Sequence, residues 1–175
     1  MKTMRKLVQY VGVVGALVVL VGCGTQVPEK PAAAPMPGHP APYFSLSELA
    51  TNKNVTLATL LDGHQFLLLN AFASWCGPCR EEAPTMEQFA SKYDGKVRIV
   101  GVNMTQGDNM KGLKQFVSQY HVSYPVLLDE NGDFLSHYNI VGFPTTFLIS
   151  PTGTVLKVHV GPITEQQLRA MLDNP

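Results

Sequence analysis

Phe66-Leu67-Leu68-Leu69-Asn70-Ala71-Phe72-Ala73-Ser74-Trp75-Cys76-Gly77-Pro78-Cys79-Arg80 is the stretch on which the fold of this 175-residue chain turns. Phe66 to Phe72 is an apolar run broken only by Asn70, the pattern of a central strand covered on both faces. Two cysteines two residues apart follow it. Glu81 to Tyr93 then reads as a helix, with Met86, Phe89, Ala90 and Tyr93 on one stripe and Glu82 and Glu87 off its centre. When the first cysteine of such a pair sits at a helix start, the orphan amides and the helix dipole stabilise its thiolate. Cys76 is therefore the expected attacking sulfur, and Cys79, one turn deeper, the one that resolves a mixed disulfide. Pro78 suits the first helical turn, where its missing N–H would have had no partner. Gly77 leaves little hindrance beside the reactive sulfur. Trp75 reads either as an apolar rim to the pair or as a core residue.

Other readings of the cysteines are weaker on physical grounds. A structural disulfide between Cys76 and Cys79 closes so small a loop that it adds little stability. A metal centre needs more ligands, and these are the only cysteines beyond residue 43; His64, His121, His137 and His159 are scattered without zinc-module spacing. Copper held by the two cysteines and a distant histidine is the remaining metal alternative. No metal or cofactor is expected.

Outward from the cysteines, the elements alternate. Phe44-Ser45-Leu46 and Val55-Thr56-Leu57 read as short strands of an N-terminal hairpin, and Val97 to Val102 as a second buried strand. Asn109 to Tyr120 carries Leu113, Phe116, Val117 and Tyr120 at helical spacing. Pro125 to Leu128 reads as a strand, followed by the polar turn Asp129-Glu130-Asn131-Gly132. Pro144 to Ile149 and Val155 to Val160 flank Ser150-Pro151-Thr152-Gly153, a hairpin signal. Thr164 with Gln167 makes a capping box for a last helix that buries Leu168, Met171 and Leu172. Pro144 is a candidate for a cis bond after Phe143, since X–Pro bonds lose only about 0.5–1 kcal/mol on going cis; the alternative is a trans proline that begins a strand. A cis bond would turn the Phe143 backbone toward the cysteines, with the Phe143 ring bordering a groove.

The N-terminus is of another kind. Lys2, Arg5 and Lys6 precede an apolar run from Leu7 to Gly22, slightly short for a membrane span and suited to a signal-peptide core. Leu20-Val21-Gly22-Cys23 resembles the lipobox of bacterial lipoproteins, which implies lipidation at Cys23 and cleavage before it. The alternative is an uncleaved anchor, and both readings put the folded part outside the cytoplasm. Prolines at 28, 31, 35, 37, 40 and 42 deny a helix its hydrogen bonds, so residues 23–42 read as a semi-extended tether and 43–175 as one domain. Without residues 1–22 the chain has 10 Lys plus Arg against 13 Asp plus Glu. That weak acidity and the lack of a basic stripe argue against a nucleic-acid partner.

Three segments together resemble the membrane-tethered thioredoxin-like proteins of the TlpA/ResA type, within the wider family that also contains alkyl hydroperoxide reductases. They are Leu67 to Pro84, Tyr124-Pro125-Val126-Leu127-Leu128-Asp129, and Val141-Gly142-Phe143-Pro144-Thr145-Thr146-Phe147-Leu148-Ile149. The resemblance implies an α/β thioredoxin fold, a central mixed sheet flanked by helices, with an N-terminal β-hairpin extension and a central αβ insertion. It implies an extracytoplasmic thiol-disulfide oxidoreductase, monomeric, acting on disulfide-containing proteins. Catalysis would involve Cys76, Cys79, Glu82 and Pro144, with Trp75, Gly77, Pro78 and Phe143 lining the substrate groove.

Cytosolic thioredoxins carry a buried aspartate six residues before the first cysteine; this chain has Asn70. Glu82 matches a glutamate that tunes the thiols in ResA-type proteins, and burial would raise its pKa toward neutrality. Its alternative is an exposed first-turn glutamate. Peroxide reductases place a threonine where Ala73 stands here, so peroxidase activity is not expected. The Gly-Pro spacer resembles reducing centres, and electrons would come from a membrane donor resembling the CcdA/DsbD proteins. The implied substrate is the cysteine pair of an apocytochrome c. Alternatives are an extracytoplasmic methionine sulfoxide reductase or another secreted disulfide protein, and a non-catalytic peptide-binding lipoprotein.

Overall fold

The computed structural model describes residues 35–175. The proposed signal sequence, Cys23 and most of the expected tether lie outside the described residues. In chain order the elements are β1 (Ser45–Glu48), β2 (Asn54–Thr56), α1 (Leu57–Leu60), β3 (Phe66–Phe72), α2 (Gly77–Lys92), β4 (Val97–Asn103), a 3-10 turn (Thr105–Gly107), α3 (Met110–Gln119), β5 (Val126–Leu128), α4 (Asp133–His137), β6 (Thr145–Ile149), β7 (Val155–Val160) and α5 (Glu165–Asp173).

All seven strands form one mixed sheet in the order β2-β1-β5-β4-β3-β6-β7. The apolar run from Phe66 to Phe72 lies inside it, parallel to β4 and antiparallel to β6. Side chains alternate across a strand, and β3 divides accordingly. Leu67, Leu69 and Ala71 join Phe44, Val100, Val102, Leu127, Phe134, Tyr138 and Phe147 on one face. Leu68 faces the other way, onto Met86 and Phe89 of α2 and Leu168 and Met171 of α5. Leu67, Leu68 and Leu69 are all essentially inaccessible to solvent, each burial contributing about 1.5–3 kcal/mol. Asn70 has the parity of Leu68, so the one polar residue of the strand is aimed at the α2 side.

The N-terminal hairpin is β1 with β2, docked through β1 on β5. The αβ insertion is α3 with β5, the latter parallel to β4. Gly132 takes φ 76° in the expected turn, and the hairpin between β6 and β7 places Gly153 at φ 91°. The capping box of Thr164 and Gln167 is formed at α5.

Several boundaries differ from the sequence expectation. α2 begins at Gly77, four residues before Glu81, because Cys76 caps it and Pro78 fits its first turn. Leu57, expected in a strand, opens α1 under a capping box from Thr56 and Thr59. α4 is an additional helix; its first amides are satisfied from outside by the buried Asp129 carboxylate, which accepts from Phe134 N (3.1 Å) and Leu135 N (2.9 Å). Such helices of four or five residues depend on tertiary caps rather than on periodicity.

The segment before residue 43 also enters the domain. Gly38 N donates to Val155 O (2.8 Å), Val155 N to His39 O (2.9 Å) and Ala41 N to Gly153 O (2.8 Å), so residues 38–41 cover the start of β7. Pro40 is compatible with such edge pairing, where its lack of an N–H matters least. Pro42 O accepts from the Tyr138 hydroxyl at 2.9 Å. Tyr138 is itself stacked on Phe134 and set edge-on to Phe44 and Phe147. Tyr138→Phe keeps this aromatic packing and leaves Pro42 O without that donor. It should lower stability by about 1–2 kcal/mol, read as a lower urea midpoint at unchanged m-value.

Candidate active site

The C-terminal end of β3 delivers the chain to the head of α2, and both cysteines lie at that junction. Cys76 is the N-cap residue (φ −73°, ψ 118°), and its sulfur accepts from Cys79 N at 3.2 Å. The two sulfurs are joined, with Cα atoms 5.3 Å apart. Cys76 is 5% exposed and Cys79 1%, so the N-terminal sulfur is the one an incoming group reaches first. Trp75, Gly77 and Pro78 around it are exposed. The space beside Gly77 is open: an added Cβ would meet nothing within 4 Å. Trp75 is 55% exposed, which decides between rim and core.

Behind the sulfurs is a buried carboxyl. Glu82 lies one turn beyond Cys79 on α2 and is 4% exposed, whereas Glu81 points to solvent. Glu82 Oε1 accepts from Asn70 Nδ2 (2.8 Å) and Oε2 from Ile163 N (3.0 Å), in the segment that leads into α5. Asn70 Nδ2 also donates to Thr146 Oγ1 (3.1 Å), its cross-strand partner on β6. Burial pushes the Glu82 carboxyl up to about 7; the Asn70 amide and Ile163 N–H hold it from rising further. The same acid helps to raise the Tyr124 phenol, whose burial is the larger cause.

The third component is the loop before β6. The Phe143-Pro144 peptide bond is cis. Phe143 is half-buried, with its ring edge-on to the Trp75 indole at a centroid distance of 6.2 Å. Pro144 O accepts from Gly161 N (2.8 Å), and Thr145 Oγ1 donates to Gly142 O (2.7 Å). These two bonds fix the loop to β7 and to itself.

A fourth component escaped the sequence reading. The loop after β4 reaches back to the residues before Cys76: Asp108 accepts from both Ser74 N and Ser74 Oγ at 2.6 Å, and Gly107 O accepts from Trp75 Nε1 at 2.8 Å. Arg80 Nε donates to Ser74 O at 2.8 Å. Burial pushes the Asp108 carboxyl up, but the Ser74 hydroxyl, the Asn103 amide and the N–H groups of Ser74 and Asn109 outweigh it, leaving the carboxyl below its usual range. Nothing in the pattern Thr105-Gln106-Gly107-Asp108 marked it as part of a site; the contact spans 34 residues. Asn70, by contrast, carried a visible signal as the lone polar residue in an apolar strand, and Glu82 was a named candidate, but the bond between them was not foreseen. Among the described residues, no group of three or more His, Cys, Asp or Glu side chains is placed to hold a metal ion.

The raised Glu82 pKa has a consequence for stability. Between the ordinary carboxyl value of 4.5 and about 7, the folded protein binds a proton that the unfolded chain has released. Stability of the disulfide form should therefore fall as pH rises from 5 to 8. At about 1.4 kcal/mol per pH unit of pKa difference, the loss approaches 3 kcal/mol. In Glu82→Gln this pH dependence should vanish. Its baseline should also be lower, since Asn70 Nδ2 and Ile163 N bind separate carboxyl oxygens and the amide turns an NH2 group toward one of them. Urea unfolding of both proteins at pH 5 and pH 8 checks the difference in slope.

The Redoxin family profile matches residues 36–172. The chain is similar to the thioredoxin-like protein YneN of Bacillus subtilis, 35% identical over 138 residues and covering 78% of each chain. It is also similar to the thiol-disulfide oxidoreductase ResA of the same organism, 36% identical over 132 residues, or 75% of this chain and 71% of that one. Among solved structures, it resembles StoA from Bacillus subtilis with a TM-score of 0.64 at 25% identity, over 75% of this chain and 97% of StoA. It resembles equally a thioredoxin-family thiol:disulfide interchange protein from Chlorobium tepidum, with a TM-score of 0.67 at 28% identity over 81% and 97% of the two chains. With a Cys76–Cys79 disulfide at the head of α2 and a cis bond before Pro144, this chain belongs to the Redoxin family and is a thioredoxin-fold thiol-disulfide oxidoreductase of the ResA/StoA kind.

Proposed function

We propose that this oxidoreductase works outside the cytoplasm as a reductant of protein disulfides, tethered to the membrane by lipid on Cys23. The observation that carries the chemical part is the buried Glu82 carboxyl, one helical turn from Cys79 and poised near neutrality. In the reduced protein the Cys76 thiolate attacks one sulfur of a substrate disulfide. That S–S bond breaks, the other substrate sulfur leaves as a thiolate, and a mixed disulfide forms. Glu82 takes the proton from the Cys79 thiol. The Cys79 thiolate then attacks Cys76 Sγ, the mixed disulfide breaks, and the Cys76–Cys79 disulfide forms. Two electrons pass to the substrate, whose two thiolates take up protons. An acid with a pKa near the working pH is suited to accept and release that proton repeatedly.

The remaining roles follow the same reading. Cis-Pro144 and Phe143 form one wall of the groove and Trp75 the other, with Gly77 and Pro78 leaving the approach to Cys76 open. The sequence offers no third redox cysteine in the domain, so reduction must come from another protein, here a membrane donor resembling CcdA/DsbD. The similarity to ResA-type proteins favours the cysteine pair of an apocytochrome c as substrate. Support for the location is the basic flank, apolar run and Leu20-Val21-Gly22-Cys23 at the start of the chain.

Cys79→Ser in the native host should accumulate a mixed disulfide through Cys76, and mass spectrometry of the trapped adduct identifies the substrate. An adduct with no c-type cytochrome precursor overturns the substrate assignment. For direction, equilibration with glutathione should give a potential near the roughly −270 mV of thioredoxin rather than the roughly −120 mV of DsbA. In Glu82→Gln the rate of mixed-disulfide resolution near pH 7 should drop about 100-fold, as loss of a positioned proton acceptor predicts; an unchanged rate removes Glu82 from the mechanism.

A further inference from the structure

The residues just before the redox pair are held by a segment that has no part in the exchange chemistry itself. Asp108 lies between the 3-10 turn and α3, and its carboxylate accepts four hydrogen bonds. Oδ1 takes Ser74 Oγ (2.6 Å) and Asn109 N (2.8 Å), while Oδ2 takes Ser74 N (2.6 Å) and Asn103 Nδ2 (2.8 Å). Ser74 is 3% exposed and is held at its N–H and hydroxyl by Asp108 and at its carbonyl by Arg80 Nε. Gly112, in the first turn of α3, closes the other side. A Cβ there would lie 2.8 Å from Ser74 Oγ, with Asn109 Nδ2 next at 3.1 Å. The next residue, Trp75, is exposed over more than half its surface, yet its Nε1 donates to Gly107 O rather than to water.

An indole that is largely in solvent has two side-chain torsions free unless something fixes them. Here backbone and ring are both fixed, by neighbouring residues of one loop. The ring consequently stands beside Cys76, edge-on to Phe143. A large apolar face already in place spares a docking partner the cost of ordering it. We propose that Asp108 is a positioning residue for disulfide exchange with proteins: through Ser74 it sets the backbone that carries Trp75, and Gly107 sets the indole. The inference rests on the reading of Cys76 as the attacking sulfur. A protein substrate that lies across Trp75 and Phe143 depends on this preorganisation; a small disulfide needs little beyond the sulfur.

The chain has a single tryptophan, so its fluorescence reports on Trp75 alone. Asp108→Asn is the direct variant, because an amide faced by four donors turns its own N–H group toward two of them in either orientation. Gly112→Ala is the independent one: alanine is the better helix residue, Asp108 is untouched, and the added Cβ displaces Ser74. Full-length wild type and both variants, reduced and in detergent, are compared for reduction of insulin and of hydroxyethyl disulfide, with acrylamide quenching of Trp75 fluorescence and a thermal melt. Both variants should lose insulin reductase activity about tenfold, the size of effect expected of a sub-ångström to 1 Å misplacement. The loss should exceed that on the small disulfide at least about fivefold, and quenching should rise. Equal losses on both disulfides, unchanged quenching, or an unchanged insulin rate in a folded Gly112→Ala protein overturn the proposal. A wild-type protein that reduces neither disulfide instead removes the exchange reading, and this inference with it.

Discussion

Asn70 and Glu82 face each other across the boundary between the central sheet and the helix that carries the cysteines, and their 2.8 Å hydrogen bond is the constraint around which the site is arranged. A carboxyl this deeply buried is expensive to ionise and would be unacceptable without donors. The protein supplies two, one from β3 and one from the backbone ahead of α5, so a single side chain joins three parts of the domain. The compensation is partial. Two donors are too few to restore an ordinary carboxylate and too many to leave a permanently neutral acid, so the group settles near 7. In this position a cytosolic thioredoxin would have a second carboxylate on the strand; two acids at this separation would share a proton and couple their titrations. An asparagine on the strand avoids that and leaves the proton on the helix.

The dithiol exploits the other end of the same elements. A strand buried on both faces is a rigid support, and a helix that starts immediately beyond it has unpaired amides where the sulfur must be. Cys79 N, one of those amides, is directed at Cys76 Sγ. The accessible sulfur is thus the capped one and the deep sulfur the one nearer the acid in sequence. Accessibility divides the two sulfurs, although only two residues separate them. The cis bond before Pro144 and the register of β6 against β3 fix the loop that carries Phe143, with Thr146 beside Asn70 and Pro144 two residues before it.

The loop that follows β4 adds a layer of support. Its contacts go to Ser74 and Trp75 rather than to the cysteines. Support of this kind comes from the αβ insertion, whose helix α3 is capped by Asn109, next to the clasping Asp108.

Much of this was legible in the sequence because it follows from local rules. A continuous apolar run marked β3, helical spacing marked the inner faces of α2, α3 and α5, and turn glycines marked Gly132 and Gly153. The cysteine pair and Pro144 were recognisable because their chemistry needs particular residue types. Glu82 was named as a candidate, but its burial depends on which way α2 is rotated, and only packing on β3 and α5 sets that. α1 and α4 stayed hidden because their caps are supplied by a hydroxyl pair and by Asp129 rather than by any repeating pattern. The start of the domain was obscured because its prolines read as a tether, whereas the edge of β7 offers pairing that prolines tolerate. Sequence determined which residues form the redox pair and which strand and helix flank it, since those depend on neighbours in the chain. Tertiary structure alone decided that Asn70 and Ile163 would hold Glu82 and that Asp108 would hold Ser74, because these bonds join residues 12, 81 and 34 positions apart.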